Sequence, residues 1–180
     1  MASIYFGGSR SLAPSSSLLR AVVGAVVASG QSVHVGCQRG ADSQVIAWAL
    51  HLGAHSSLVV FAVAAAWQAC PRQVQLAQFS EARVVLGAGG QSAPMPARYL
   101  LRSIAAFQGC SAAVFFSPGP GSLAVAREAI NAGISVFAFG TPHSGSPAPV
   151  PSSIGFWVES SFQGSPCWQW QPTVTQPSLF

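Results

Sequence analysis

The sequence predicts an α/β protein, a Rossmann-like parallel sheet flanked by helices with a short C-terminal β extension. Three observations carry that prediction. Short apolar runs of strand length alternate with longer segments whose apolar residues recur at helical spacing. The junctions between them are short and rich in glycine. The last forty residues change character, becoming rich in proline and serine and then in tryptophan.

Taken in order, Ser3 to Phe6 reads as a buried strand ending in Gly7-Gly8-Ser9-Arg10. Pro14 and the three serines after it can open a helix with apolar residues at 18, 19, 22, 23, 26 and 27, which Gly30 stops. Ser32 to Gly36 is the second strand and leads through Cys37-Gln38-Arg39-Gly40 into a helix from Ala41 to Leu52. Ser57 to Val63 is the third strand, and strand–helix alternation with short connections is the mark of a parallel sheet. Pro71 can open a helix that runs to Ser80, and Ala82 to Leu86 is a short strand. The segment GAGGQSAPMP has too much glycine and proline for regular structure and is expected to be a mobile loop. A helix from Ala97 to Phe107 follows, whose apolar residues are Leu100, Leu101, Ile104 and Phe107. The strand Ala112 to Phe116, the loop SPGPGS, a helix from Leu123 to Ala132 and a strand from Ile134 to Phe139 complete the sheet.

The expected organisation is therefore a Rossmann domain over residues 1–140, with a linker, β extension and loose tail over residues 141–180. Two strands are expected in the extension, Ile154 to Glu159 and Pro166 to Gln171. Trp168 and Trp170 lie two apart and face one side, suited to covering a sheet edge or the core.

Composition narrows the chemistry. Of 180 residues, 50% are hydrophobic and 7% charged, enough apolar surface for one core. The longest apolar run, Leu58 to Trp67, falls well short of the roughly 20 residues of a membrane-spanning helix, and MASIYFGG lacks the features of a secretory signal. A cytoplasmic protein without a membrane partner is expected. The eight basic residues are all arginine; with no lysine, a Schiff-base lysine and a Walker A motif are excluded. The four cysteines form no C-x-x-C pair, so neither a metal site nor a redox pair is expected, and no cofactor.

Three loops leave the C-terminal ends of predicted parallel strands, where open α/β sheets bind ligands: residues 7–10, 36–42 and 117–122. Glycine lets the backbone approach a ligand, and each following helix aims free N–H groups and its positive dipole end at the crevice. Phosphate is the natural guest. Seven of the 12 charged residues lie in these loops or on helices beside them: Arg10, Arg39, Asp42, Arg98, Arg102, Arg127 and Glu128. Arg98 and Arg102 are four apart and share a helix face. Asp42 can cap its helix, bond a ribose hydroxyl or act in catalysis. Arg127 and Glu128, adjacent in mid-helix, diverge as surface charges, and His34 reads as a core side chain. Ser9 and Ser122 can donate to phosphate, but no histidine stands near either to complete a nucleophilic triad.

These loops, in this order, resemble the SLOG superfamily, which joins the Rossmann domain of DNA-processing protein A to the LOG phosphoribohydrolases. The resemblance rests on GSR at 8–10, VHVGCQRGADSQVIAWAL at 33–50, ARYLLRS at 97–103 and AVFFSPGPGSLAVAREAINAGISVFAF at 113–139, and spans about residues 2–140. It is greatest to a small branch of single-domain proteins like DNA-processing protein A. It implies a Rossmann-like sheet binding a nucleotide or nucleotide-derived ligand, with Gly8, Ser9 and Arg10 from the first loop and Gly36, Arg39, Gly40 and Asp42 from the second. Gly119, Gly121 and Ser122 would hold phosphate. Arg98 or Arg102 takes the place of the arginine that LOG enzymes use with a glutamate to cleave an N-glycosidic bond. Where those enzymes have that glutamate, this chain has Val125, and Glu128 stands nearly one turn further on.

Two functions follow as expectations. One is a binder of a nucleotide-like small molecule, a sensor or an N-glycosidase using Asp42 or Glu128 with Arg98 or Arg102 as catalytic groups. The other is non-catalytic binding of single-stranded nucleic acid, with arginines 10, 39, 98 and 102 along the phosphates and Trp67, Trp168 or Trp170 stacking on bases. The apolar composition also leads to the expectation of a homodimer.

Overall fold

The computed structural model describes residues 2–12, 17–140 and 154–173. Six parallel strands form the body of one sheet: β1 (Ser3–Gly8), β2 (Ser32–Val35), β3 (Leu58–Phe61), β4 (Arg83–Val85), β5 (Ala112–Phe116) and β6 (Ser135–Phe139). The extension contributes β7 (Phe156–Phe162) and β8 (Ser165–Gln171), which pair antiparallel. The order is β4-β3-β2-β1-β5-β6-β8-β7. The extension thus continues the same sheet, with β8 pairing antiparallel to β6 through Phe137↔Gln169 and Ala138↔Trp168.

The helices are α1 (Ser17–Ala28), α2 (Ala41–His51), α3 (Arg72–Phe79), α4 (Met95–Phe107) and α5 (Pro120–Asn131). Alternate residues of each strand serve the two faces. Ile4 and Phe6 of β1 pack with α1, α2 and α3 through Leu19, Val22, Val26, Val45, Ile46 and Val74. Tyr5 points the other way, with Phe115, Val136 and the α4–α5 residues Ala106, Phe107, Val125 and Ala129. Fully buried strands such as Leu58–Phe61 carry apolar residues on both faces, as a sheet covered on both sides requires.

Local signals placed most elements to within a few residues. Pro14 and Ser15–Ser16, expected to open α1, and the linker over 141–153 lie outside the described residues, as does most of the tail. His34 is half-buried, its Nδ1 2.9 Å from the Ala106 carbonyl, a core side chain as expected. Trp170 is buried and packs edge-on against Trp157, covering the core beyond β6, whereas Trp168 is half-buried.

Two features of the α4 region differ from the sequence reading. Leu101, one of the apolar residues of the helix, is 44% exposed, while Arg102 and Ser103 face inward with Ala106 and Phe107. The helix is rotated because Arg102 has a buried acid to meet. The GAGGQ loop, expected to be mobile, is tied at several points. Gly87 and Ala88 donate N–H bonds to Ala64 and Ala62 carbonyls, and the Gln91 side chain donates to the Val63 carbonyl. The Arg98 guanidinium donates to the carbonyls of Gln91 and Ala93. Among the described residues, no helix is long and apolar enough to cross a membrane.

A cleft at the sheet's switch point

Strand order reverses between β1 and β5, whose following helices lie on opposite faces, and ligands of open α/β sheets bind at such a point. A cleft of about 690 Å³ opens there. Its walls come from the loop after β1, the loop after β2, the N-terminal half of α4 and the start of α5.

The loops are locked to one another by close backbone contacts. Ser9 N–H donates to the Phe116 carbonyl and Ala41 N–H to the Ser9 carbonyl, at 2.9 and 3.0 Å. A Cβ on Gly8 would stand 2.3 Å from the Phe116 oxygen, and one on Gly40 2.3 Å from the Ser9 oxygen, so glycine is what lets the chains pass. Gly40 also has φ +82°, a left-handed conformation. The Ser122 hydroxyl, a candidate phosphate donor, donates to the Gly8 carbonyl at 2.9 Å and ties α5 to the first loop. Ser9 Oγ accepts the Ser11 N–H and lies 2.9 Å from Ser11 Oγ.

Gly119 and Gly121 differ from these: nothing lies within 4 Å of a Cβ built on either. They face open cleft at the start of α5. Pro120 suits the first turn because the N–H it lacks would have no helical partner. The N–H groups of Gly121 and Ser122 belong to that turn, whose donors have no carbonyl within the helix.

The floor holds an ion pair. Arg102 Nη1 lies 3.2 Å from Asp42 Oδ2, with side chains only 4% and 8% exposed. The same oxygen accepts the Gln38 N–H at 3.0 Å. Asp42 therefore does not cap α2, whose N-cap is Gly40 without a side-chain bond. Burial pushes the Asp42 carboxyl up, and the Arg102 guanidinium and the Gln38 N–H pull it back. Burial opposes the Arg102 charge, but Asp42 and Tyr5 outweigh it, so its pKa is raised. Gly36 makes room for the pair: a Cβ there would fall 1.1 Å from Arg102 Nη1. Arg102 Nε is buried without a hydrogen-bond partner. Beside it Tyr5 is wholly buried, its hydroxyl pushed up to about 12 by that burial.

Of the expected site residues, Gly8, Ser9, Arg10, Arg39, Asp42, Arg102, Gly119, Gly121 and Ser122 line the cleft. Gly36 and Gly40 shape it from behind. Arg98 does not line it, being turned into the GAGGQ loop, and Glu128 does not either. Arg10 and Arg39 are exposed at the rim. Tyr5, Tyr99, Leu100, Ser103 and Phe115 also line it and were missed. A signal existed for Tyr99, three before Arg102, and for Ser103, four after Tyr99, spacings that bring side chains to one face of α4. Trp67, Trp168 and Trp170 lie elsewhere; Trp67 packs edge-on against Phe79.

Fold and cleft together define a Rossmann-like α/β protein with a basic cleft at the switch point. No family model and no curated protein matches the sequence. The fold has counterparts among solved structures: DNA processing protein A from Streptococcus pneumoniae aligns with a TM-score of 0.64 at 17% identity, over 81% of this chain and 53% of that one. DNA processing protein A from Helicobacter pylori, described for its single-stranded DNA binding mode, aligns with a TM-score of 0.64 at 13% identity, over 79% of this chain and 67% of that one. The chain spans about half the length of the pneumococcal protein and shares its fold.

Proposed function

We propose that the chain binds single-stranded nucleic acid in this cleft without cleaving it. The observation that carries the reading is the state of the cleft's charges. Among the described residues its lining has one carboxylate, Asp42, which faces Arg102 within the floor, while Arg10 and Arg39 stand exposed at the rim beside the open start of α5. The lining therefore carries a positive excess suited to phosphates, with no carboxylate free to stabilise an oxocarbenium ion. Glu128, the other candidate, lies outside the cleft. Duplex readers project a helix or ribbon into a groove, whereas a concave site takes a single strand. The fold shared with DNA processing protein A, one example of which is described as binding single-stranded DNA, points the same way.

Salt dependence tests this. Single-strand binding weakens with a slope of about −0.7 in log K against log salt for each phosphate neutralised. Oligonucleotide anisotropy titrations should give such a slope, and Arg39→Ala should flatten it by about 0.7. A mononucleotide bound as tightly as the oligonucleotide, with little salt dependence, would instead favour the small-ligand reading, which the cleft's volume also accommodates.

A further inference from the structure

Away from the cleft, α3 carries apolar side chains on its outer side next to β4, the edge strand of the sheet. Val74 and Ala77 anchor this helix to the core, whereas Leu76 is 47% and Phe79 70% exposed. Trp67 packs edge-on against Phe79 at 5.3 Å and widens the patch. None of the three lines the cleft. Contiguous apolar surface of this kind marks a docking face. The docking element is the helix, because β4 has only three residues and an exposed Arg83, a poor template for strand addition.

The charges at the two ends of α3 indicate what covers it. Arg72 opens the helix and Glu81 follows its last turn, both exposed and neither in an ion pair among the described residues. Each stands at the wrong end of its own helix, whose N-terminus carries positive dipole charge and whose C-terminus negative. Glu81 also holds φ +63°, a left-handed position just past a helix where glycine is the ordinary residue. An antiparallel neighbour reverses both charge penalties, bringing a negative helix end to Arg72 and a positive one to Glu81. A second copy of α3 does more, because it sets its own Glu81 beside Arg72 and its own Arg72 beside Glu81.

We propose that two copies of this chain associate through α3, packed antiparallel about a two-fold axis near Leu76. Leu76, Phe79 and Trp67 of each copy are buried against the other, and Arg72 of each pairs with Glu81 of the other. Such an interface is isologous, so every contact occurs twice. It leaves both clefts open, since none of these residues lines them.

Sedimentation equilibrium of the native protein, Phe79→Ser, Arg72→Glu and Glu81→Arg tests this. Phe79→Ser should weaken the dimer by roughly 30-fold or more, as loss of a buried interface aromatic does, and should not lower the melting temperature. Arg72→Glu and Glu81→Arg should each weaken it as well, because either change sets like charges together at both ends. Mixing those two variants should restore association, since the mixed dimer again pairs opposite charges at both ends. A monomeric native protein would overturn the proposal, and so would a dimer that Phe79→Ser leaves intact. A mixture of the charge variants no more associated than either alone would overturn it too, and both charges lie at exposed positions, so that result decides even if Phe79→Ser unfolds.

Discussion

Arg102→Met is expected to destabilise the fold by about 3–5 kcal/mol, the usual result of stranding one member of a buried ion pair. Arg102 and Asp42 are both at least nine-tenths buried and meet at 3.2 Å. Without the guanidinium, Asp42 keeps the Gln38 N–H as its hydrogen-bond donor, and burial, less opposed, drives its carboxyl further upward. A folded pKa above the unfolded value means that the native state prefers the protonated acid. The defect should therefore be small below about pH 4, near the unfolded carboxyl's own pKa, and grow as pH rises through the folded one. Adding Asp42→Asn should recover more than half of the loss at neutral pH, since asparagine still accepts the Gln38 N–H without a charge. Chemical denaturation of the two variants at pH 4 and pH 7 reads all of this. A defect that ignores both pH and the second substitution would assign the loss to packing rather than charge.

Gly121→Val is expected to abolish ligand binding while leaving stability within about 0.5 kcal/mol, as for a surface change. Among the described residues nothing comes within 4 Å of a Cβ at Gly121, so the fold has room for the new methyls, which would crowd the cleft lining at the α5 start. Oligonucleotide affinity should drop more than tenfold, about 1.4 kcal/mol or more. Gly40→Ala makes the contrast. Its Cβ would press on the Ser9 carbonyl at 2.3 Å from a backbone at φ +82°, and it should destabilise by more than about 1 kcal/mol. Equal melting temperatures for native and Gly121→Val proteins, together with unchanged binding, would place the ligand elsewhere.

The contrast between these glycines marks how far the sequence could be read. All of them announce tight turns, but the letter G does not distinguish a glycine that admits another segment of the protein from one that leaves space for a ligand. Gly36 makes room for a guanidinium that arrives 66 positions later in the chain, and Gly119 and Gly121 face open cleft. The same limit applies to Arg98 and Arg102. Helical spacing put them on a shared face, yet Arg98 turns back to the loop carbonyls of Gln91 and Ala93 while Arg102 is drawn inward by Asp42. The fold itself was far more legible. The strand Ala112 to Phe116 was read to its last residue, and the alternation of β and α elements predicted the parallel sheet.

By itself, then, the sequence determined the α/β alternation and the glycine loops at the strand ends with the Arg10 and Arg39 that two of them carry, because hydrophobic period and turn chemistry are local properties of the chain. Tertiary structure alone decided which charge is buried and neutralised, which glycine faces the cleft, and that tyrosine rather than tryptophan lines it. Each of those outcomes depends on which distant segment arrives beside the residue, and packing between segments is settled only when the sheet assembles and its two faces are covered.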